Sequence, residues 1–188
     1  MAFTKALIFF AEGYEEVEAL TVVDLLRRAG MDIDMVSLTG GQMVTGSHGI
    51  TVQMDVLYQE ADFERADILI LPGGMPGTKN LLAHQGLKER LVSFAADSSK
   101  KVAAICAAPS VLGEHGILKG REATSYPGFE DKLTGAAVKE APVVTDGNVI
   151  TSRGMGTAIE FAAAIIESCC GRDKADAILE SIIYTAGR

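Results

Sequence analysis

Short, wholly apolar runs alternate along the chain with segments whose apolar residues recur every three or four positions. That alternation predicts strands buried on both faces, separated by amphipathic helices. Lys5 to Ala11 is the first apolar run. Helical spacing follows through Val17, Leu20, Val23 and Leu26 or Arg27 as far as Gly30, a C-terminal stop, with Asp24 and Arg28 one turn apart and placed to pair. Further strands are predicted over Ile33 to Leu38, Ala66 to Leu71 and Lys101 to Ile105, with a short strand or hairpin arm at Gly49 to Met54. Pro72 to Gly77 breaks the Leu71 strand before a helix from Thr78 to about Ser99, and Ala107 to Leu112 suits a helix whose first turn tolerates Pro109. Val143 to Thr145 and Val149 to Thr151 flank Asp146-Gly-Asn148, a strong hairpin signal. Gly154 and Gly156 open a helix from Thr157 to about Cys170, and a last helix runs from Asp173 to Ala186.

This order predicts an α/β chain with a mostly parallel sheet, helices on both faces and a small hairpin. Without internal repeats, low-complexity tracts or linker-like shifts, residues 1–188 read as one domain. A chain of this length buries roughly 70% of its unfolded surface, so its core needs no disulfide or metal staples.

Composition narrows the function. Seventeen Lys and Arg against twenty-five Asp and Glu give a net charge of −8, and no basic stripe interrupts the acidity, which argues against nucleic acid as a primary partner. The apolar run near the N-terminus stops at Glu12, too short for a signal core or a membrane span, so no membrane association and a cytoplasmic location are expected. Three cysteines, Cys106, Cys169 and Cys170, make no disulfide framework, and with His48, His84 and His115 scattered, no metal site is expected.

In an open α/β sheet the crevice lies beyond the carboxyl ends of the strands. The chain places there Glu12 to Glu18, Gly73-Gly74, Cys106-Ala107 and Ser152-Arg153-Gly154. Cys106 stands between a strand and a helix start, the setting that exposes a nucleophile in hydrolase elbows, and a helix N-terminus there is expected to lower the thiol pKa. A buried, inert cysteine is the competing explanation. Glu15, Glu16 and Glu18 open the first helix, where a solvated acidic turn is the ordinary reading. Glu18 differs because its position next to Val17 and Leu20 turns it toward the sheet, where burial beside a thiolate would raise its pKa and keep it protonated. Gly73-Gly74 suits either a tight turn or the approach of a backbone N–H to a ligand, and with the amide after Cys106 it could form an oxyanion hole. Gly154-Met-Gly156 matches only part of a dinucleotide fingerprint, and no phosphate-binding P-loop is present. His115 lies nine residues beyond Cys106 and would have to fold back to act as its base. Cys169-Cys170 ends an apolar helix and reads as packing.

As a set, Glu12-Gly-Tyr-Glu-Glu-Val-Glu18, Leu71-Pro-Gly-Gly74, Ala103-Ala-Ile-Cys-Ala-Ala-Pro109 and Thr151-Ser-Arg-Gly-Met-Gly-Thr157 resemble, in order and spacing, the ThiJ/PfpI superfamily, most of all its parkinsonism-associated DJ-one branch. The resemblance implies a flavodoxin-like three-layer sandwich, usually homodimeric, with Cys106 as the reactive cysteine, Glu18 as its protonated partner and the amides of Gly74 and Ala107 as oxyanion donors. It also implies a pocket or anion-binding surround drawn from Glu15, Gly73, Arg28, His48, Tyr126 and Arg153. Members of the branch are described as cofactor-independent glyoxalases that convert methylglyoxal to lactate, as deglycases acting on early glycation adducts, and as oxidative-stress sensors with chaperone activity. Three positions depart from the pattern. Tyr126 stands where the branch often carries a histidine, Ala107 where protease-like members place one, and His48 where a basic residue of the dimer-side loop is expected. Peptidase activity is therefore not expected, and anion binding near the pocket should be weaker and pH-dependent.

The leading expectation is a cofactor-independent, cysteine-dependent glyoxalase or deglycase whose partners are small reactive carbonyls or glycated substrates. The alternatives are a redox sensor in which oxidised Cys106 modulates partner binding, and a small-molecule hydrolase or amidase.

Overall fold

The computed structural model of the chain describes residues 4–185. β1 (Lys5–Phe10) is apolar from Ala6 to Phe10 because both of its faces are covered. Ala6, Ile8 and Phe10 enter one core while Leu7 and Phe9 enter the other, the strict alternation of a strand. α1 (Glu16–Arg28) returns the chain to β2 (Asp32–Ser37), which pairs with β1 in parallel. Gly30, at φ +80°, follows α1 as the predicted stop, and Arg28 Nε lies 2.7 Å from Asp24.

A small antiparallel hairpin, β3 (Met43–Thr45) with β4 (Thr51–Gln53), stands apart from the main sheet, and β5 (Val56–Leu57) pairs with β2. β6 (Ala66–Leu71), α2 (Gly77–Ala83), α3 (Gln85–Ala96) and β7 (Lys101–Ile105) form the next crossover, and α4 (Pro109–Glu114) follows β7. β8 (Glu122–Ala123) and β9 (Ala137–Val138) make a minor parallel pair. The predicted hairpin is β10 (Val143–Asp146) with β11 (Val149–Ser152), and α5 (Ala158–Cys170) and α6 (Arg172–Ser181) complete the chain.

Among the described residues the main sheet has the order β10-β11-β7-β6-β1-β2-β5, parallel except for β10. Residues of α1, α5 and α6 pack on one face, including Leu26, Phe161, Ile165 and Ile178, and residues of α2, α3 and α4 on the other, including Leu81, Leu91, Phe94 and Leu112. This is the flavodoxin-like three-layer arrangement. A fully buried side chain such as Phe161 contributes about 1.5–3 kcal/mol to it. From β1 the chain moves first to β2 on one side and later to β6 and β7 on the other, so the order of strands reverses between β1 and β6. Beyond the carboxyl ends of those strands a crevice opens.

Three elements differ from the pattern read in the sequence. Val17 is half exposed, and the buried stripe of α1 runs instead through Glu16, Glu18, Ala19, Val22, Val23, Leu25 and Leu26. Successive helical residues point about 100° apart, so burying Glu16 and Glu18 turns Val17 outward. The helix expected over Thr78 to Ser99 is two helices, because His84 is extended and its Nδ1 accepts the Leu87 N–H at 3.0 Å, ending α2 and capping α3. The last helix stops at Ser181, and Ile183, at φ +57°, cannot continue it; Ala186 lies outside the described residues. No helix among the described residues is long and apolar enough to cross a membrane.

Candidate active site

The loops that leave β1, β6 and β7 converge in the crevice. Cys106 follows β7 directly and adopts φ +66°, a left-handed conformation that a non-glycine residue holds at a cost of about 1–3 kcal/mol. Its neighbours fix it there: the Cys106 N–H donates to the Ser152 carbonyl at 2.9 Å, and the Cys106 carbonyl accepts the Tyr126 N–H at 2.8 Å. The elbow expected from the sequence is thus present, built by a sharp turn into α4 and clamped by the end of β11 and the segment after β8.

Glu18, on the first turns of α1, is 1% exposed and reaches the same point from the β1 side. Its Oε2 accepts the Gly73 N–H at 2.9 Å. Gly73 is required here by contact rather than by conformation, since a β-carbon on it would lie 2.6 Å from Glu18 Oε2 and 3.1 Å from Cys106 Sγ. Gly74 is required by both, with φ +97° and a β-carbon position 2.3 Å from the Glu15 nitrogen.

Burial pushes the Glu18 carboxyl up to about 7, with the Glu15 charge adding to the effect and the Cys106 thiol and Gly73 amide opposing it. Burial, then the Glu18 charge and hydrogen bond, also raise the Cys106 thiol, while the Ala107 and Gly74 amides pull it back. This corrects the lowered thiol pKa expected from a helix N-terminus. α4 is only six residues long and begins at Pro109, three positions beyond the sulfur, and its dipole does not offset the loss of water and a carboxylate next door. Each anion disfavours the other, so the two groups titrate as a coupled pair.

A cavity of about 350 Å³ opens over the pair, lined also by Glu15, His48, Gly74, Tyr126 and Met155. That is room for a small ligand. The amides of Gly74 and Ala107, the expected oxyanion donors, both act on the Cys106 sulfur. Glu15, the N-cap of α1, accepts the Ser47 hydroxyl at 3.3 Å. Tyr126 is half exposed at the wall.

Three expected pocket residues are not in the wall of this cavity: Gly73, which packs against Glu18 and Cys106, and two arginines. Arg28 sits ten residues past Glu18, roughly 15 Å along the helix axis, and pairs with Asp24 on the exposed face of α1. Arg153 lines two adjoining cavities on the far side of Tyr126. His115 is absent from the wall as well; its Nε2 is buried without a partner and burial lowers its pKa, as for a packed ring. Cys169 is partly buried against the core, in keeping with a packing role.

Glu16 and Met155 are the residues that sequence reasoning missed. Glu16 is 3% exposed rather than solvated. The 46–50 segment wraps it: Glu16 Oε1 accepts the His48 N–H at 2.8 Å and the Ile50 N–H at 3.4 Å, and Oε2 lies 3.0 Å from His48 Nδ1. Burial alone would raise this carboxyl, but the His48 ring and the backbone donors together outweigh it and bring it down to about 2. The one local hint is Gly46, where a β-carbon would stand 2.3 Å from the Glu16 carboxyl. The fold also assembles a donor set that chain spacing did not indicate, since ligand atoms of Glu15, Glu16 and His48 lie within 4.8 Å of one another.

The DJ-1/PfpI family model matches residues 4–168 of this chain, a span that includes all the residues of the crevice. The chain belongs to the DJ-1/PfpI family. Protein dj-1beta of Drosophila melanogaster is 37% identical over 181 residues, 95% of this chain and 96% of that protein. A protein of Pyrococcus abyssi named as a deglycase is 35% identical over 154 residues, 81% of this chain and 91% of that protein. The structure of oxidised DJ-1 from Toxoplasma gondii superposes with a TM-score of 0.92 at 35% identity, covering 97% of this chain and 99% of that one. Two DJ-1 homologues of Arabidopsis thaliana, each 40% identical, are longer, and this chain spans 39% and 46% of them. The DJ-1 family fold is therefore shared.

Proposed function

We propose that the protein is a cofactor-independent, cysteine-dependent glyoxalase or deglycase acting on methylglyoxal or early glycation adducts. The observation that carries this reading is the Cys106–Glu18 pair, whose carboxyl titrates near neutrality beside the sulfur and beneath the cavity. A group that titrates there gives up and regains a proton at physiological pH with little bias. The Pyrococcus abyssi relative named as a deglycase supports the same direction.

In the proposed reaction Cys106 sulfur adds to the aldehyde carbon of methylglyoxal, forming the C–S bond of a hemithioacetal, and the thiol proton passes through Glu18 to the new oxygen. The Gly74 and Ala107 amides stabilise negative charge on that oxygen. Glu18, now a carboxylate, removes the hydrogen on the sulfur-bearing carbon and returns it to the neighbouring carbon, converting the adduct into a 2-hydroxy thioester. Water cleaves the thioester to lactate and regenerates the thiol. Oxidation states balance within the substrate, one carbon being oxidised and its neighbour reduced, so no external redox partner enters.

Enantiomer-resolved lactate formation from methylglyoxal tests the reading. Wild type should produce lactate of one hand, and Cys106→Ser and Glu18→Gln should not. Absence of lactate from reduced wild type would move the assignment to redox sensing. That second reading is supported by the exposure of Cys106 to the cavity beside an acid able to donate a hydrogen bond to an oxidised sulfur. Graded peroxide should then stop at two added oxygens on Cys106 before Cys169 or Cys170 react. A hydrolase reading is weaker, because His48, the one histidine among the described lining residues, is engaged with Glu16. A homodimer in the cytoplasm is the proposed setting, and a mass measurement in solution checks the assembly.

A further inference from the structure

The two residues that hold the left-handed backbone of Cys106, Ser152 at its N–H and Tyr126 at its carbonyl, are themselves joined through a third. Ser152 ends β11 and is fully buried. Its hydroxyl donates to the Pro142 carbonyl at 2.8 Å and lies 2.7 Å from Thr157 Oγ1. Thr157 Oγ1 accepts the N–H of buried Gly154 at 3.1 Å. The Gly154 carbonyl, 2.9 Å from Thr157 Oγ1, already accepts the Thr157 N–H at the same distance, so the Thr157 hydroxyl proton is free for Ser152 Oγ. Gly154 in turn packs on the Tyr126 ring, where a β-carbon on the glycine would stand 3.2 Å from Tyr126 Cδ2. The contacts close a circuit from Cys106 through Ser152, Thr157, Gly154 and Tyr126 back to Cys106. Each link lies within one chain, so none depends on what covers the mouth of the cavity.

We propose that Thr157, outside the wall of the Cys106 cavity, is a positioning residue for the Cys106 sulfur: its hydroxyl closes the circuit that holds the strained elbow between Ser152 and Tyr126. A backbone strained in this way persists only where its surroundings over-determine it. Removing the Thr157 hydroxyl leaves the Gly154 N–H and Ser152 Oγ short of a buried partner, a cost relieved by moving the 153–157 segment. That segment carries Met155 in the cavity wall and abuts Tyr126, whose N–H holds the Cys106 carbonyl. Opening the one link therefore lets the elbow relax and shifts the sulfur relative to Glu18 and to the Gly74 and Ala107 amides that act on it. The inference deepens the proposed function by naming a further residue that the chemistry needs, and it rests on that reading only for the lactate measurement below.

Four variants test the circuit. Thr157→Val removes the hydroxyl at nearly constant shape and Thr157→Ser keeps it. Ser152→Ala opens the same link while leaving in place the carbonyl that accepts the Cys106 N–H. Ser37→Ala removes a buried hydroxyl of another place, at the end of β2, where it donates to the Gly41 carbonyl. Labelling with iodoacetamide, read by site-resolved mass spectrometry with exposed Cys170 as the reference, gives the pH profile of Cys106 without any turnover. In that reaction sulfur bonds to the methylene carbon, iodide leaves with the electrons of the C–I bond, and the thiol proton passes to Glu18 or water. In Thr157→Val and in Ser152→Ala the midpoint of the profile should move by about half a pH unit or more, because the spacing of the coupled pair has changed. In the same two variants kcat for lactate formation should fall by roughly ten-fold or more. Thr157→Ser and Ser37→Ala should keep the wild-type profile and a kcat within about two-fold of it. Ser152→Ala decides the matter if Thr157→Val does not fold. A wild-type profile in either hydroxyl-removing variant, a loss in Thr157→Ser as large as in Thr157→Val, or an equal shift in Ser37→Ala would overturn the proposal. A shifted profile in Thr157→Val beside a wild type that forms no lactate would instead remove the glyoxalase reading and leave the positioning role standing.

Discussion

Gly73 lies so close to Cys106 that a β-carbon placed on it would be 2.6 Å from the Cys106 β-carbon, and the same glycine donates its N–H to Glu18. One residue therefore spaces the thiol from the acid. Gly73→Ala must displace both, and a misplacement of about 1 Å near the reacting atoms can cost on the order of 100-fold in rate. Lactate formation from methylglyoxal should drop by at least that factor while circular dichroism still shows the α/β fold. Wild-type turnover in this variant would disprove the spacing argument.

Glu18 should destabilise the fold as pH rises. Its carboxyl titrates near 7 in the folded state and near 4.5 when unfolded, so the unfolded chain releases its proton first. Stability then declines between those two values and levels off above the higher one. Glu18→Gln keeps an acceptor for the Gly73 amide and removes the penalty. The variant should match wild type near pH 4 and gain about 3 kcal/mol at pH 8. Denaturant unfolding at several pH values reads the difference, and a constant offset across pH would refute the assignment.

Glu16 carries the opposite linkage. Its folded pKa of about 2 lies below the ordinary 4.5, so the stability it contributes is present above 4.5 and is lost as pH falls through 2. Glu16→Gln should be less stable than wild type at pH 7 and converge with it toward pH 2. Limited proteolysis at pH 7 should also find new cuts in the 46–50 segment, whose backbone donors lose their charged acceptor.

The left-handed backbone of Cys106 reverses an ordinary preference. Glycine normally costs stability relative to alanine, but at φ +66° it relieves the clash of the β-carbon. Cys106→Gly should therefore equal or exceed Cys106→Ala in stability, by about 1 kcal/mol, with both inactive. A clearly less stable glycine variant would contradict a strained elbow.

Much of this was legible along the chain. The apolar runs at β1, β6 and β7 announced strands covered on two sides, since an uninterrupted apolar strand is stable only between two layers. Gly30 and the Asp146-Gly-Asn148 turn appeared where expected because their conformations depend on neighbours in sequence. Cys106 and Glu18 were singled out from position alone. By contrast, the break at His84 depends on a side-chain cap three residues on, and the wrapping of Glu16 depends on a segment thirty residues away.

The sequence by itself determined the layer order, the elbow at Cys106 and the acidic turn before α1, because periodicity, glycine placement and strand ends are local properties of the chain. Only the tertiary structure decided that Glu16 is buried as well as Glu18, that Arg28 lies a helix length from the thiol in its own chain, that Cys106 is raised rather than lowered, and that His48 closes on Glu16. Those outcomes depend on desolvation and on distances between loops from separate crossovers, which no local pattern specifies.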